Sequence, residues 1–429
     1  MDELMNHKSL FSIVALNLLI GIAICTQAVS ALPSADDPKP AKSTDFAISL
    51  FKHEAAATKR NVLISPFSIY MALGMTANGA SGETKLQMAQ TLGVNGDDFK
   101  SFNASNHIIL KALTNNADGP FDFANMFNTI WQSMTNTGGA KLETANALYA
   151  DNTYPFKQSF LDLCQKEYLA ESHNENFADP TTVRNINHWC DQKTHGKIKE
   201  VISQLTPDDK LVLLNSIYFK GSWIDPFKPS RTNQQDFKLL DGSVKQVPMM
   251  HKKGDCEYYN GDGFEAVALP YFGKRNQVMY IFLPAKGANF ANFLNGFTAK
   301  NWKSRTSQFY SMEVILSIPK YKIECTDEFN KSLIAMGMSD AFSNNANFDA
   351  LCAKPTKISK VIQKTYVEVD EAGTEAAAAT TVKIVPVSAI LFKEGPPQFT
   401  VDRPFVMALV DRDTNEILFL GAIVDPTLQ

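Results

Sequence analysis

The stretch Glu371–Ile390, EAGTEAAAATTVKIVPVSAI, decides how the rest of this chain is read, because it has the pattern of a β-strand inside what its flanks mark as a loop. Taken with a period of two from Thr374, one face carries Thr374, Ala376, Ala378, Thr380, Val382 and Ile384, all small or apolar, while Glu375 and Lys383 fall on the opposite face. Such a segment can be buried without stranding a charge. Its alanine run is also the best intrinsic helix former, and Pro386 closes it among small and polar residues, as an exposed loop is closed. Taken alone, an Ala-rich run after Asp370, Glu371 and Gly373 is more often a surface helix or a linker. A loop with a latent strand inside it points instead to a conformational switch.

Residues 1–31 read as a secretory signal peptide, with Lys8 in a weak basic region, an apolar core from Leu10 to Cys25 and small residues before a cut after Ala28 or Ala31. The apolar run is short for a membrane span, and no other stretch has the length and apolarity of one. The expected product is a secreted, extracellular protein with a flexible leader at 32–43, rich in Pro, Ser, Ala and charge. No Gly/Ser or Pro-rich linker interrupts Asp45 to Pro426 and no solenoid-period repeat is visible, so residues 44–429 are read as a single domain. The net charge of −4 and the lack of a long basic run argue against nucleic acid as the main partner. Of the six cysteines, Cys164, Cys190, Cys256, Cys325 and Cys352 remain after the signal peptide. That odd, irregularly spaced set is not a disulfide framework, and small buried apolar residues are the favoured reading. Asn103-Ala-Ser105 and Asn330-Lys-Ser332 fit the N-glycosylation sequon, which matters only because the chain is read as secreted.

An enzyme needs a nucleophile with its base, a metal cluster or a phosphate cradle, and none is legible. G-x-S-x-G, H-E-x-x-H and C-x-x-C are all absent, and the seven histidines stand singly. No cofactor or metal is expected. Gly261-Asp-Gly263-Phe-Glu-Ala266 does fit G-x-G-x-x-A, but that fingerprint must open a helix, and the Val267-Ala-Leu-Pro-Tyr continuation reads as a strand.

Helical apolar spacing predicts a helix over Asp45–Ala57, a buried one opened by Ser65-Pro66, and an amphipathic one from Thr182 to Val201, with Ile186, Trp189, Cys190 and Lys193 on one side and a break at Gly196. Leu211–Phe219 is too apolar for a half-exposed strand and is read as a central strand buried on both faces. Val278–Leu283, Met312–Ile318, Thr365–Val369, Val406–Val410 and Ile417–Val424 also read as strands. Helices dominate the first half and strands the second. The fold class is α+β, with helices covering large, mostly antiparallel sheets.

Five segments then resemble, in order, those of the serpins, the suicide inhibitors of serine proteases: Asn61-Val-Leu-Ile-Ser-Pro-Phe-Ser68, Asn187-x-Trp189 with Thr194-x-Gly-Lys-Ile198, Leu213-Leu-Asn215-Ser-Ile-Tyr-Phe-Lys-Gly-Ser-Trp223, Phe399-Thr-Val-Asp-Arg-Pro-Phe405, and Phe419-Leu-Gly-Ala-Ile-Val-Asp-Pro426. The opening stretch lies between the third and the fourth. The chain is identified as a member of that family, of the secreted inhibitory type and resembling its arthropod members. The resemblance implies the serpin fold, with about eight to nine helices and an exposed reactive loop at about 371–395. It also implies a target serine protease held in a covalent complex, with the cut loop inserting as a new strand into the main sheet. The hinge would comprise Glu371, Gly373, Thr374, Ala376, Ala378 and Thr380. The sheet-opening region would comprise Ser65 and Ser68 beneath the sheet, Asn215 facing them, Gln363 where the family commonly has histidine, and Trp223 near the start of insertion. For Trp223 an ordinary buried aromatic is equally compatible with the sequence.

The family's spacing puts the specificity residue fourteen positions beyond the hinge glycine, at Val387, and the scissile bond at Val387–Ser388. A branched apolar side chain suits an elastase-like pocket and lacks the cation that a trypsin-like pocket pairs with. Ser388–Pro404 is long, so cutting after Ile390, Leu391 or Lys393 stays open, the last pointing to a trypsin-like clotting or immune-cascade protease. A non-inhibitory serpin carrier and a secreted hydrolase with an undetected triad are the rival readings. Lys100, His107 and Lys111 are too sparse to argue for glycosaminoglycan binding, and a monomer without nucleic-acid or membrane partners is expected.

Overall fold

Leu211–Ser222 (β4) is buried at every position from Leu211 to Phe219, and its two faces meet different cores. Leu211, Leu213, Ile217 and Phe219 pack into the main core, whereas Val212, Leu214 and Tyr218 pack into a smaller one beneath a helix. Period-two alternation therefore puts Asn215 on the main-core side, facing the buried helix that follows Ser65. The structure is a computed structural model and describes residues 43–55, 59–95, 98–114, 140–206, 208–273, 276–374 and 395–428.

Before β4 come the helices Ser43–Ala55 (α1), Pro66–Ala77 (α2), Gly82–Leu92 (α3), Phe99–Thr114 (α4), Gln158–Tyr168 (α5) and Pro180–Lys193 (α6), with the strands Val62–Ile64 (β1), Lys141–Asp151 (β2) and Glu171–Glu175 (β3). After it come Asn233–Lys238 (β5), Val244–Gly261 (β6), Phe264–Pro270 (β7), Gln277–Pro284 (β8), Tyr310–Pro319 (β9), Tyr321–Glu328 (β10), Lys360–Val369 (β11), Gly373–Thr374 (β12), Gln398–Thr400 (β13), Phe405–Asp411 (β14) and Glu416–Ile423 (β15). The short helices Phe290–Asn295 (α7), Ala299–Thr306 (α8) and Asn330–Ala335 (α9) lie among these strands.

Two sheets organise the described residues. One runs β1-β15-β14-β8-β7-β6-β9-β13 with β5 on β6, and the other runs β10-β11-β12-β4-β2-β3, with β11 and β4 also paired directly. Pairing is antiparallel except for β11 with β4, β2 with β3 and β13 with β9. The α+β class and the mostly antiparallel sheets agree with the expectation, and β7 is the strand that disqualifies the dinucleotide fingerprint. Asp262 and Gly263 instead make the tight turn between β6 and β7, both with positive φ.

Helix boundaries follow local chemistry. Pro66 opens α2, where a missing N–H is harmless, and all twelve of its residues are buried, so the sheet lies directly on it. Asp179 caps α6 by accepting from Thr181 N at 2.8 Å. That helix ends at Lys193, eight residues short of the expected Val201, because His195 and Gly196 both take left-handed backbone angles. Ile186, Trp189 and Cys190 are buried against the sheet, but Lys193 is solvent-exposed and reaches Glu171 at 2.5 Å. All five described cysteines are buried and unpaired. Burial pushes Cys164, Cys256 and Cys325 up to about 12, so they are packing residues with inert thiols.

Both sequon asparagines bond within the fold. Asn103 is buried, with Nδ2 donating to Asn78 Oδ1 at 2.8 Å and Oδ1 accepting from Tyr168 OH at 2.6 Å. Asn330 Nδ2 donates to Ser359 O at 2.7 Å and Oδ1 accepts from Val361 N at 3.0 Å, tying α9 to β11. A glycan on either Nδ2 would break bonds that hold elements together, so this geometry argues against both sites.

Candidate functional site at the mouth of the six-stranded sheet

β11 and β4 run parallel and pair directly from Lys360 with Val212 up to Tyr366 with Tyr218. Beyond Tyr366 their direct register stops, and β12 occupies the gap between them. Thr374 pairs with Val369 on one side and Gly221 on the other, and Gly373 pairs with Ser222, antiparallel to both neighbours. Gly373 and Thr374, the third and fourth residues of the opening stretch, thus sit as a short strand in a seam that is split above and closed below.

Glycine is required at this entrance by contact. A Cβ on Gly373 would lie 2.0 Å from Gly221 O, and one on Gly221 would lie 2.7 Å from the Tyr271 ring, so the two backbones approach as only glycines allow. Thr374 is buried on the inner face, and its Oγ1 is 2.6 Å from Tyr271 OH. That is the inward parity the sequence pattern assigned to it.

The segment leading into β12 is anchored at several points. Trp223 Nε1 donates to Asp370 O at 3.0 Å, its backbone N–H donates to Ala372 O at 2.9 Å, and its ring stacks on Tyr271 at 4.4 Å. Asp370 Oδ1 accepts from the backbone N–H groups of Ala372 and Gly373 at 2.9 and 3.1 Å, shaping the turn. Glu371 accepts from Thr232 Oγ1 at 2.7 Å and from Lys320 Nζ at 2.9 Å, and its carbonyl accepts from Phe227 N at 2.8 Å. Burial by itself would raise the Glu371 carboxyl, but the Thr232 and Lys320 hydrogen bonds outweigh it and hold it below its ordinary value. Asp370 goes the other way, pushed up by burial.

Lower in the closed seam, Gln363 and Asn215 are register partners whose side chains point toward α2. Gln363 Oε1 accepts from Ser65 N at 2.7 Å, and its Nε2 donates to Ser65 O at 3.0 Å and to Asn215 Oδ1. Asn215 Nδ2 passes the chain on to Asn146 Oδ1 on β2 at 2.6 Å, and Ser65 Oγ donates to Leu418 O on β15 at 2.6 Å. A neutral amide supplies the one acceptor and two donors that this position uses. The structure thus joins Ser65, Asn215 and Gln363 in one network. Ser68 is buried nearby on α2, but its hydroxyl has no partner among the described residues and does not enter the network.

Glu371, Gly373, Thr374 and Trp223 meet at the mouth. Ala376, Ala378, Thr380, Val387, Ser388, Ile390, Leu391 and Lys393 lie outside the described residues, as do residues 1–42 with the expected signal peptide and nearly all of the expected leader. Sequence reasoning missed Tyr271, Lys320, Thr232 and Gly221. Only Gly221 carried a local signal, as a glycine two residues before Trp223 near the end of a largely buried strand. The others reach the mouth from strands and turns distant in sequence.

A mixed sheet whose two parallel central strands are split at one end by the start of a loop defines a recognisable class, and comparison with known proteins gives it a name. The family model described as serpin (serine protease inhibitor) matches residues 41–426. Alpha-1-antiproteinase 2 of Equus caballus is 32% identical over 393 residues, covering 89% of this chain and 86% of the relative. The crystal structure of the thermophilic serpin tengpin in its native state is similar with a TM-score of 0.78 at 28% identity, over 92% of this chain and 97% of that one. Human thyroxine-binding globulin complexed with thyroxine gives a TM-score of 0.77 at 27% identity, over 90% and 97%. The chain belongs to the serpin family. No helix among the described residues is long and apolar enough to cross a membrane.

Proposed function

We propose that this serpin is a secreted suicide-substrate inhibitor of serine proteases that offers Val387–Ser388 as its scissile bond. The observation that carries the reading is the seating of Gly373 and Thr374 between β11 and β4, antiparallel to both, above a seam whose seven residue pairs run parallel. Parallel pairing is slightly the weaker kind, and it leaves no hydrogen-bonding strand between β11 and β4. Continuing β12 downward replaces that one parallel seam with two antiparallel ones. The residues that would follow Thr374 on its inward face, Ala376, Ala378 and Thr380, are small enough to slide between existing strands. Cleavage frees the arm to do so, and the acyl-linked protease travels with it.

Val387 fits an elastase-like target. The test is a panel of elastase-, chymotrypsin- and trypsin-like proteases, scored for an SDS-stable complex and for the new N-terminus of the released peptide. Ser388 at that terminus supports Val387 as bait. Glu394 there moves the bait to Lys393 and the target to a trypsin-like clotting or immune-cascade protease.

A second reading, a serpin carrier, is favoured by the likeness to a thyroxine-binding protein. Thermal unfolding before and after loop cleavage separates the two, since an arm that inserts raises the melting temperature sharply and a carrier loop leaves it unchanged. Residues 1–31 carry the proposal of secretion, tested by N-terminal sequencing of the exported protein.

A further inference from the structure

A cleft of about 560 Å³ lies between the end of α1 with the residues after it, the turn joining β5 to β6, the segment from β8 into α7, and Arg403–Pro404. It shares no residue with the hinge seat. Its apolar lining includes Leu240, Phe290, Leu294 and Val424, and Leu240 is 44% exposed despite facing this lining. Around the same cleft stand Lys59, Arg60, Lys238 and Arg403, with Asp241 as the single carboxylate of the lining. That is a local reversal of sign on a chain whose net charge is −4.

The charged groups fall into two sets. Arg60 is held by Asp327, and Arg403 donates from Nε to Pro284 O at 2.8 Å and from Nη1 to Asp402 Oδ1 at 2.5 Å, so both guanidiniums are oriented by the fold. Asp241 is already engaged by Ser243, through N at 2.9 Å and Oγ at 2.6 Å. Lys59 and Lys238 make no close ion pair among the described residues, although, with the Ser243 hydrogen bonds, Lys59 helps hold the nearby Asp241 carboxyl below its ordinary value, so two ammonium groups stand at the rim of an apolar cleft. The volume matches a small organic molecule, for which sites are typically about 300–1,000 Å³ and apolar with a few converging polar groups.

We propose that this cleft binds a small amphipathic anion, its apolar body seated on Leu240, Phe290 and Leu294 and its sulfonate, sulfate, phosphate or carboxylate group set against Lys59 and Lys238. Neither part suffices alone. Exposed lysines hold a simple anion weakly in water, and the apolar wall alone does not select charge.

The probe is 8-anilinonaphthalene-1-sulfonate, titrated by fluorescence into the full mature protein. One saturable site is expected, weakened at least tenfold in a Lys59→Glu/Lys238→Glu variant and also in Leu240→Ser, with melting temperatures unchanged. Inorganic sulfate at the same concentration should fail to displace the probe, and neutral anilinonaphthalene should bind at least tenfold more weakly. The absence of a one-to-one site in the wild type overturns the proposal. So does equal affinity in the charge-reversed variant at unchanged melting temperature, or equal affinity for the neutral analogue.

Discussion

The side-chain amide of Gln363 is bonded to both backbone groups of Ser65, accepting from its N–H at 2.7 Å and donating to its C=O at 3.0 Å. One amide of β11 thus pins the start of α2 beneath the seam, while its second N–H goes to Asn215 on β4. Opening the seam between β11 and β4 has to disturb this contact, because its partners belong to three different elements.

Gln363→Glu keeps the shape and removes the donor. At neutral pH a buried carboxylate would face Ser65 O and Asn215 Oδ1, and a destabilisation of about 2–4 kcal/mol is expected. Burial raises the folded-state pKa of such a group above its unfolded value. The deficit should therefore shrink as pH falls through that raised pKa, where the protonated acid again donates, and grow to a plateau above it. Urea midpoints of variant and wild type between pH 5 and 8 measure this, and a pH-independent difference would count against it.

The Glu371–Lys320 contact predicts a limited pH window for hinge anchoring. Glu371 is depressed from its ordinary 4.5, so its contribution is present above that value and is lost as pH falls through the lower folded pKa. Lys320 is raised from 10.5, chiefly by its hydrogen bond to Glu371, so its contribution is present below 10.5 and is lost at still higher pH. Asp370, raised by burial, opposes the acid limb, because its folded-state carboxyl prefers the proton. Comparing wild type with Glu371→Gln isolates the pair. Trp223 fluorescence should differ between them at pH 7 and converge only as pH falls through the depressed pKa of Glu371.

Side chains at the entrance should convert an inhibitor into a substrate. Gly373→Val places a Cβ against Gly221 O, and Thr374→Arg puts a cation at a position that is buried on the inner face. Both variants should still be cut at the loop, with the yield of SDS-stable complex falling more than tenfold and no rise in melting temperature after cleavage. Unimpaired complex formation by either would mean that insertion does not start at this seat.

Asn103 should matter for folding. Asn103→Ala removes bonds to Asn78 and to the buried Tyr168 hydroxyl, and a loss of about 1–3 kcal/mol in denaturant unfolding is expected. Peptide mapping of the protein expressed through a eukaryotic secretory pathway should find Asn103 and Asn330 unmodified.

Much of this protein was legible before any coordinates. Composition and period-two alternation marked Leu211–Phe219 as a doubly buried strand and put Thr374 on the small, apolar face of its segment, because burial pattern is local and backbone geometry imposes its period. Five family-like segments in order were enough for the fold. The break at Gly196 was legible, whereas helix α6 does not resume toward Val201, because His195 also takes a left-handed conformation before it. Tertiary structure alone decided that Tyr271 meets Thr374, that Lys320 and Thr232 meet Glu371, that Ser65 is gripped through its backbone, that Ser68 is left out, and that both sequon asparagines bond within the fold. Each of these is a pairing between residues far apart in the chain, and a linear sequence records the residue types such contacts need but not which of them meet.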